Sequence, residues 1–488
     1  MRSRRVLALL ALFVIGGLVV AELQLGVGRA WLDDALQAEP DPVTAPAEVE
    51  PPAGLELPEL VAPAPVADTA GEPAVRPRAV RRTLAAALDD PDLGKHVAVA
   101  VAGVDGGPVV SAVEGRGGET VTPASTTKLL TTTAALAALG PDHVFTTRTV
   151  LSGQGASRRV TLVGGGDPYL ASRPAAPDDA AYPPRADVLT LARLTARELR
   201  ARGVRTVAIG YDDTLFSGPV ASPDWEPGYL PDAVVAPITA LWVDGGRPES
   251  GVGRVDDPSE YAARVFADAL RRQRIKIRGE LADRPAVPEA APLAEVASAP
   301  LDQVVEHVLE VSDNEAAEVL AHQTGLAVTG EGSFAGGRRG VAETLGGLGI
   351  DLTGVEVYDG SGLSRRSRVR LDTLVEVLRV AADPQHPELR AVVTGLPVAG
   401  FTGSLALRFD ATNAAAGAGL VRAKTGTLSG VHGLAGIVTD AKGEPVVMVA
   451  VADGVPREDD LANLEARLAV DRIAAALTGC TCTLGSTS

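Results

Sequence analysis

The sequence reads as a mixed chain of helices and strands, on three observations. Residues 96 to 104 and 108 to 113 are two apolar runs on either side of Asp105-Gly106-Gly107, the pattern of a β-hairpin closed at a D-G turn. Residues 125 to 139 carry Leu129, Leu130, Leu136 and Leu139 with Ala and Thr at most positions between them. Such a stretch is apolar on nearly every side, which predicts a buried central helix. Arg422 to Leu428 reads as a strand ending in a small turn.

Taken in order, the chain opens with Arg2, Arg4 and Arg5 before an apolar run from Val6 to Ala21, the layout of an export segment. Its length lies between a signal peptide and a membrane span, so both readings stand for residues 1–22. Glu39 to Arg78 contains ten prolines with much Ala and acid, and residues 23–78 are expected to be an extended linker that packs no core. Globular sequence begins near Val80, with helical spacing over Ala79 to Leu88. The buried helix has Pro123 near its first turn and is ended by Gly140-Pro141. A further helix is expected over Pro258 to Arg272. The two cysteines, Cys480 and Cys482, sit in a polar end, and residues 479–488 are expected to be a disordered tail.

Composition narrows the function. The 488 residues carry a net charge of -17, which argues against nucleic acid as a partner, since counterion release needs a basic face. Two cysteines cannot build a disulfide framework or a four-cysteine metal site. No H-E-x-x-H, G-x-S-x-G or Walker loop occurs, so zinc hydrolase, α/β-hydrolase and P-loop readings lose support. No metal and no cofactor is expected.

Lysine usage points to a site. Of 45 basic residues only five are Lys, at positions 95, 128, 276, 424 and 442. Arginine stays protonated in a protein, whereas a desolvated lysine can give up its proton. Ser125 and Lys128 lie three residues apart at the start of the buried helix, hence on one face and at the positive end of its dipole. Alone, that pair is as well explained by a capping serine beside a solvated lysine. Two further segments shift the balance: Ser312-Asp313-Asn314 at the opening of another helical stretch, and Lys424-Thr425-Gly426 on the strand. The chain has only three Asn, yet S-x-x-K, S-x-N and K-T-G each occur once, in this order.

These three elements are those of serine penicillin-binding proteins and β-lactamases. The wider wording resembles one branch, the D-alanyl-D-alanine carboxypeptidase/endopeptidase family, the low-molecular-mass class C penicillin-binding proteins. The similarity extends over roughly residues 80 to 475 and includes Gly165-Gly166-Asp167-Pro168, Tyr211 to Phe216, Ala236 to Leu241, Asp359 to Arg365 and Leu396 to Gly400. For the fold it implies an α+β, transpeptidase-like domain, an antiparallel sheet flanked by helices, in two parts at residues 79–142 and 295–478. One smaller domain would be inserted between them at 143–294. Ser312 lies 187 positions after Ser125, in keeping with an insertion. Longer relatives carry a small β domain where Gly245 to Asp257 leaves only thirteen residues, so a reduced insertion is expected.

The resemblance also implies roles. Ser125 would attack the carbonyl of a D-alanyl-D-alanine peptide and form an acyl-enzyme, with Lys128 as the proton acceptor. Ser312 would relay a proton to the leaving amine and Asn314 would hold the peptide amide. Lys424 and Thr425 would bind the terminal carboxylate, and Gly426 would let substrate lie against the strand. The N–H groups of Ser125 and Thr427 would form the oxyanion hole. Asp213, Phe216 and Arg365 resemble cleft-lining positions, with a structural role equally open for each. The expected partners are peptidoglycan stem peptides and β-lactam antibiotics, and the expected place is outside the cytoplasm, secreted or anchored to the membrane's outer face. Endopeptidase action on cross-links stays open beside carboxypeptidase action. A β-lactamase or esterase using the same pair, and a non-catalytic wall-binding sensor, are the alternatives.

Overall fold

Alternation along one strand builds the centre of the molecule. In the computed structural model, which describes residues 75–115, 120–176, 181–410 and 414–483, strand His96–Gly103 is buried along its whole length. Ala98, Ala100 and Ala102 point to one core, while Val97, Val99 and Val101 point to another on the opposite face. A period of two with apolar residues on both faces is what a strand covered by two layers requires.

That strand lies inside a five-stranded sheet in the order Val421–Leu428, Val431–Thr439, Pro445–Ala452, His96–Gly103, Gly106–Gly115. Every pairing in it is antiparallel. One face is covered by the helices Pro77–Leu88 and Asp460–Thr478. The other packs on a second layer that contains Thr127–Leu139, Leu301–Val311, Asn314–Thr329 and Leu371–Ala382. Helix Thr127–Leu139 is buried on nearly all sides, as its composition predicts, and Gly140 ends it at φ 86°. The fold is therefore α+β, an antiparallel sheet flanked by helices.

The long interval between the first two motifs carries its own sheet and core. Its strands run in the order Lys276–Ile277, Thr206–Asp212, Arg159–Val163, Thr146–Ser152, Ala291–Ala297, with parallel and antiparallel pairs together. Helices Val188–Ala201 and Pro258–Arg272 pack on it around Leu162, Leu191 and Phe266. Among the described residues this region and the first sheet with its helices form one compact unit, and several ties join the two. Gln323 Nε2 donates to the Gly165 carbonyl at 2.8 Å. Trp225 Nε1 donates to Asp359 at 2.8 Å, and Arg254 pairs with the buried Glu315 at 2.6 Å.

Two expectations change at the chain ends, and others lie outside the described residues. Residues 1–74 lie outside the described part, and with them the export segment and most of the Pro-rich linker. Within the described part, the linker boundary at residue 78 falls too late, because Val75 already pairs with Thr483 and the first helix begins at Pro77. The tail expected to be disordered from residue 479 is ordered through Thr483. Cys480 and Cys482 are joined by a disulfide and are buried in the core beneath Pro77–Leu88 and Asp460–Thr478. Thr483 donates its hydroxyl to the buried Asp440 at 3.0 Å. Among the described residues no helix is long and apolar enough to cross a membrane.

Candidate active site

The nucleophile candidate sits in a strained turn. Ser125 belongs to a single 3-10 turn, Ala124–Thr126, that leads directly into helix Thr127–Leu139. Ala124 before it holds φ at 46°, a region that residues with a Cβ rarely adopt and that tends to mark functional turns. The turn is pressed from one side by Gly426, where a Cβ would come within 2.9 Å of the Pro123 carbonyl. It is pressed from another by Gly362, at φ 84°, whose Cβ would overlap the Ala124 carbonyl. Both glycines thus let a strand and a loop close on the turn that carries Ser125. For Gly426 this packing demand stands beside the expected approach of substrate along the strand.

Lys128, one helical turn on, is completely buried. Its Nζ is 3.0 Å from Ser125 Oγ, 2.8 Å from Asn314 Oδ1 and 2.8 Å from the Ser361 carbonyl. Burial lowers its proton affinity to about 8, against the opposing pull of Glu318, Asp359, Asp313 and Glu315. The three partners are not equivalent. Asn314 Oδ1 and the Ser361 carbonyl can only accept, so they take the two N–H bonds of a neutral amine. The lone pair is then left facing the hydroxyl of Ser125.

The second motif is built by a break between helices. Leu301–Val311 ends at Ser312, which is left-handed at φ 62° and ψ 43°, and Asn314–Thr329 begins two residues later under the cap of Asp313, which accepts from Ala316 N at 2.9 Å. The left-handed residue turns the chain so that Ser312 and Asn314 both face the lysines. Ser312 Oγ accepts from Lys424 Nζ at 2.7 Å. Lys424 is also completely buried, and burial together with the charge of Lys128 holds its proton affinity well below the ordinary lysine value. On the same strand, the Thr425 hydroxyl is bonded to Ser404 at 2.9 Å, and Thr427 is exposed. Ser125, Ser312 and Asn314 are half-buried, so the three groups that would meet a ligand are reachable while both amines are shielded.

Residues with the lower sequence signal have partners of their own. Asp213 accepts from Ser259 Oγ at 2.6 Å. The ring of Phe216 lies 5.0 Å from that of His322. Arg365 pairs with Glu226 at 3.2 Å and donates to the Ser429 carbonyl at 2.8 Å, which sets it just past the end of the K-T-G strand. Among the described residues no group of three or more His, Cys, Asp or Glu is arranged to hold a metal ion.

Sequence reasoning missed two carboxylates. Glu318, one turn after Asn314, is fully buried and accepts from the N–H groups of Gly360 and Ser361 at 2.9 and 2.8 Å. Asp359 accepts from Gly362 N and Ser364 N at 2.9 and 2.6 Å. Burial pushes the proton affinity of both upward. In the sequence, Asp359 to Arg365 is one of the stretches that carry the resemblance, and its Ser361 has no role of its own; the structure places the Ser361 carbonyl on Lys128.

Known proteins match this chain over the same region. The model of the D-Ala-D-Ala carboxypeptidase 3 (S13) family matches residues 80–254 and 248–477. A carboxypeptidase of Mycobacterium tuberculosis is 34% identical over 86% of this chain and 87% of its own. Carboxypeptidase DacB of Mycolicibacterium smegmatis is 34% identical over 99% of this chain and 98% of its own. Among solved structures, penicillin binding protein 4 of Haemophilus influenzae has a similar fold, with a TM-score of 0.65 at 21% identity over 82% of this chain and 98% of that one.

Proposed function

The chain belongs to the D-Ala-D-Ala carboxypeptidase 3 (S13) family, and from that premise we propose that it is a serine-type D-Ala-D-Ala carboxypeptidase acting on peptidoglycan stem peptides through an acyl-enzyme. The observation that carries this reading is the buried Lys128 amine, with two acceptor-only partners and its remaining valence 3.0 Å from Ser125 Oγ. A lysine so placed is a proton acceptor for the serine.

In this reading Ser125 Oγ adds to the carbonyl between the two D-alanines and its proton passes to Lys128. The N–H groups of Ser125 and Thr427 face the oxyanion, an assignment supported by the contact of Gly426 with the Ser125 turn. Breaking the C–N bond requires a proton on the leaving amine. Ser312 supplies it and is recharged by Lys424, 2.7 Å away. Asn314 holds the peptide amide, while Thr425 takes the terminal carboxylate in the positive field of Lys424. Water then releases the acyl group and restores Ser125. Asp213, Phe216 and Arg365 border the cleft. A β-lactam enters as a mimic of the peptide, and the site of action lies outside the cytoplasm, in the wall. The same chemistry on a cross-link would be endopeptidase action.

Ser125→Ala tests the reading. It is expected to abolish both covalent labelling by fluorescent penicillin and release of D-alanine from a peptide ending in D-Ala-D-Ala, with the thermal melt within about 1 to 2 kcal/mol of wild type, the scale of a lost helix-start contact. Labelling that survives in this variant would place the nucleophile elsewhere.

A further inference from the structure

The carbonyl that receives Lys128 is not held by a helix or a sheet. It belongs to a loop whose backbone N–H groups are held by two buried acids. Glu318 accepts from Gly360 and Ser361, Asp359 from Gly362 and Ser364, and Thr131 donates its hydroxyl to the Gly360 carbonyl at 2.7 Å. Glu318 lies on the same helix as Asn314, four residues on, so one rigid element presents one acceptor to Lys128 directly and steadies the other.

We propose that Glu318 is a positioning residue for acylation, which through the Gly360-Ser361 backbone fixes where the Lys128 amine stands. The proposal rests on the reading of Lys128 as proton acceptor. The groups around Glu318 decide the sign of its electrostatic effect on that amine. Asp359 opposes its ionisation, and Lys128, on the neighbouring helix, is drawn toward the protonated form by Glu318, Asp359, Asp313 and Glu315. His322, one turn further along the helix, bonds through Nδ1 to the Glu318 carbonyl and is held down to about 4, hence neutral. Arg338 shares a cavity with Glu318 but is exposed to solvent. Burial raises Glu318 into the range in which Lys128 itself titrates; where Glu318 is anionic it keeps the proton on Lys128 to higher pH, while its two accepted bonds keep the lysine aimed. The two roles move different observables.

The same region supplies a test that separates positioning from mere folding. A cavity of about 170 Å³ reaches Glu318, Asp359 and Gly360, lined elsewhere by His322, Arg338 and apolar residues such as Leu130 and Val341. A small carboxylate has a route to the space left by Glu318→Ala.

The acylation rate with one penicillin is measured across pH for wild type, Glu318→Gln, Glu318→Asp and Glu318→Ala, the last with and without sodium acetate against matched sodium chloride. In Glu318→Gln the amide N–H₂ must face a backbone N–H that it cannot accept from, so the plateau is expected to fall at least tenfold. The midpoint should move to lower pH, because the charge that held the proton is gone. Glu318→Asp keeps a carboxylate and should keep the wild-type midpoint with a reduced plateau. Glu318→Ala should lose about 100-fold, the scale of a catalytic group shifted by about 1 Å, and acetate should recover part of it. A plateau and midpoint both unmoved in Glu318→Gln overturns the proposal. So does a rate loss with an unmoved midpoint in Glu318→Gln and no acetate rescue in Glu318→Ala, which is what a purely structural residue gives. Failure of the serine-lysine reading shows separately, as labelling of Ser125→Ala.

Discussion

At the scale of single residues, the two buried lysines are proposed to have different tasks, and burial changes what is expected of the second. As a strand lysine beside a threonine, Lys424 reads as a fixed charge for a carboxylate, a role arginine could share. In the structure it is completely buried, with Nζ bonded to Ser312 Oγ and the Thr425 carbonyl at 2.7 and 3.0 Å. Its lowered proton affinity suits proton relay, which a guanidinium cannot perform. Lys424→Arg is therefore expected to lose at least about 100-fold in acylation rate, within the range that proton transfer contributes. Its thermal melt should also fall, because a larger permanent cation must enter a closed site. Stopped-flow acylation and a melt check both; a rate within a factor of three of wild type would return Lys424 to the role of a simple charge.

At the scale of elements, the molecule depends on close approaches that periodicity does not report. The hairpin, the buried helix, the K-T-G strand and helix Pro258–Arg272 were all legible, because each is announced by alternation, composition or a terminator within its own residues. The C-terminal strap was not. A polar run holding two cysteines two positions apart resembles a loose end, and the docking of Val75 against Thr483 shows that it closes the layer formed by helices Pro77–Leu88 and Asp460–Thr478. Ending the chain at Thr478 removes buried Cys480 and Cys482 and leaves Asp440 without its Thr483 partners. Such a loss of core and hydrogen bonds is expected to destabilise by about 2 to 4 kcal/mol. The proposed active site lies on other elements, so acylation at low temperature should stay near wild type. A melt unchanged by the truncation would contradict the strap.

At the scale of the whole molecule, the fold brings together three segments that are far apart in sequence, and the proposed function rests on their meeting. Their residue types were legible because scarce Lys and Asn fell in a fixed order, whereas Glu318 and Asp359 were not, since a helical Glu and a loop Asp are ordinary until the fold buries them around the loop that bonds Lys128. The inserted region contributes from a distance, with Trp225 holding Asp359 and Gln323 tying Gly165 to the Asn314–Thr329 helix. The account as a whole stands on Lys128 being neutral when Ser125 attacks. Its most direct test is the pH dependence of penicillin acylation for wild type and Lys128→Arg side by side, with a melt to verify folding. Wild type should accelerate as pH rises through about 8, where the buried lysine loses its proton. Lys128→Arg, folded but always protonated, should be slower by about 10² to 10⁴ and lack that rise. Acylation by Lys128→Arg near the wild-type rate, or a wild-type rate flat between pH 6 and about 9, would contradict the assignment of Lys128 as the base.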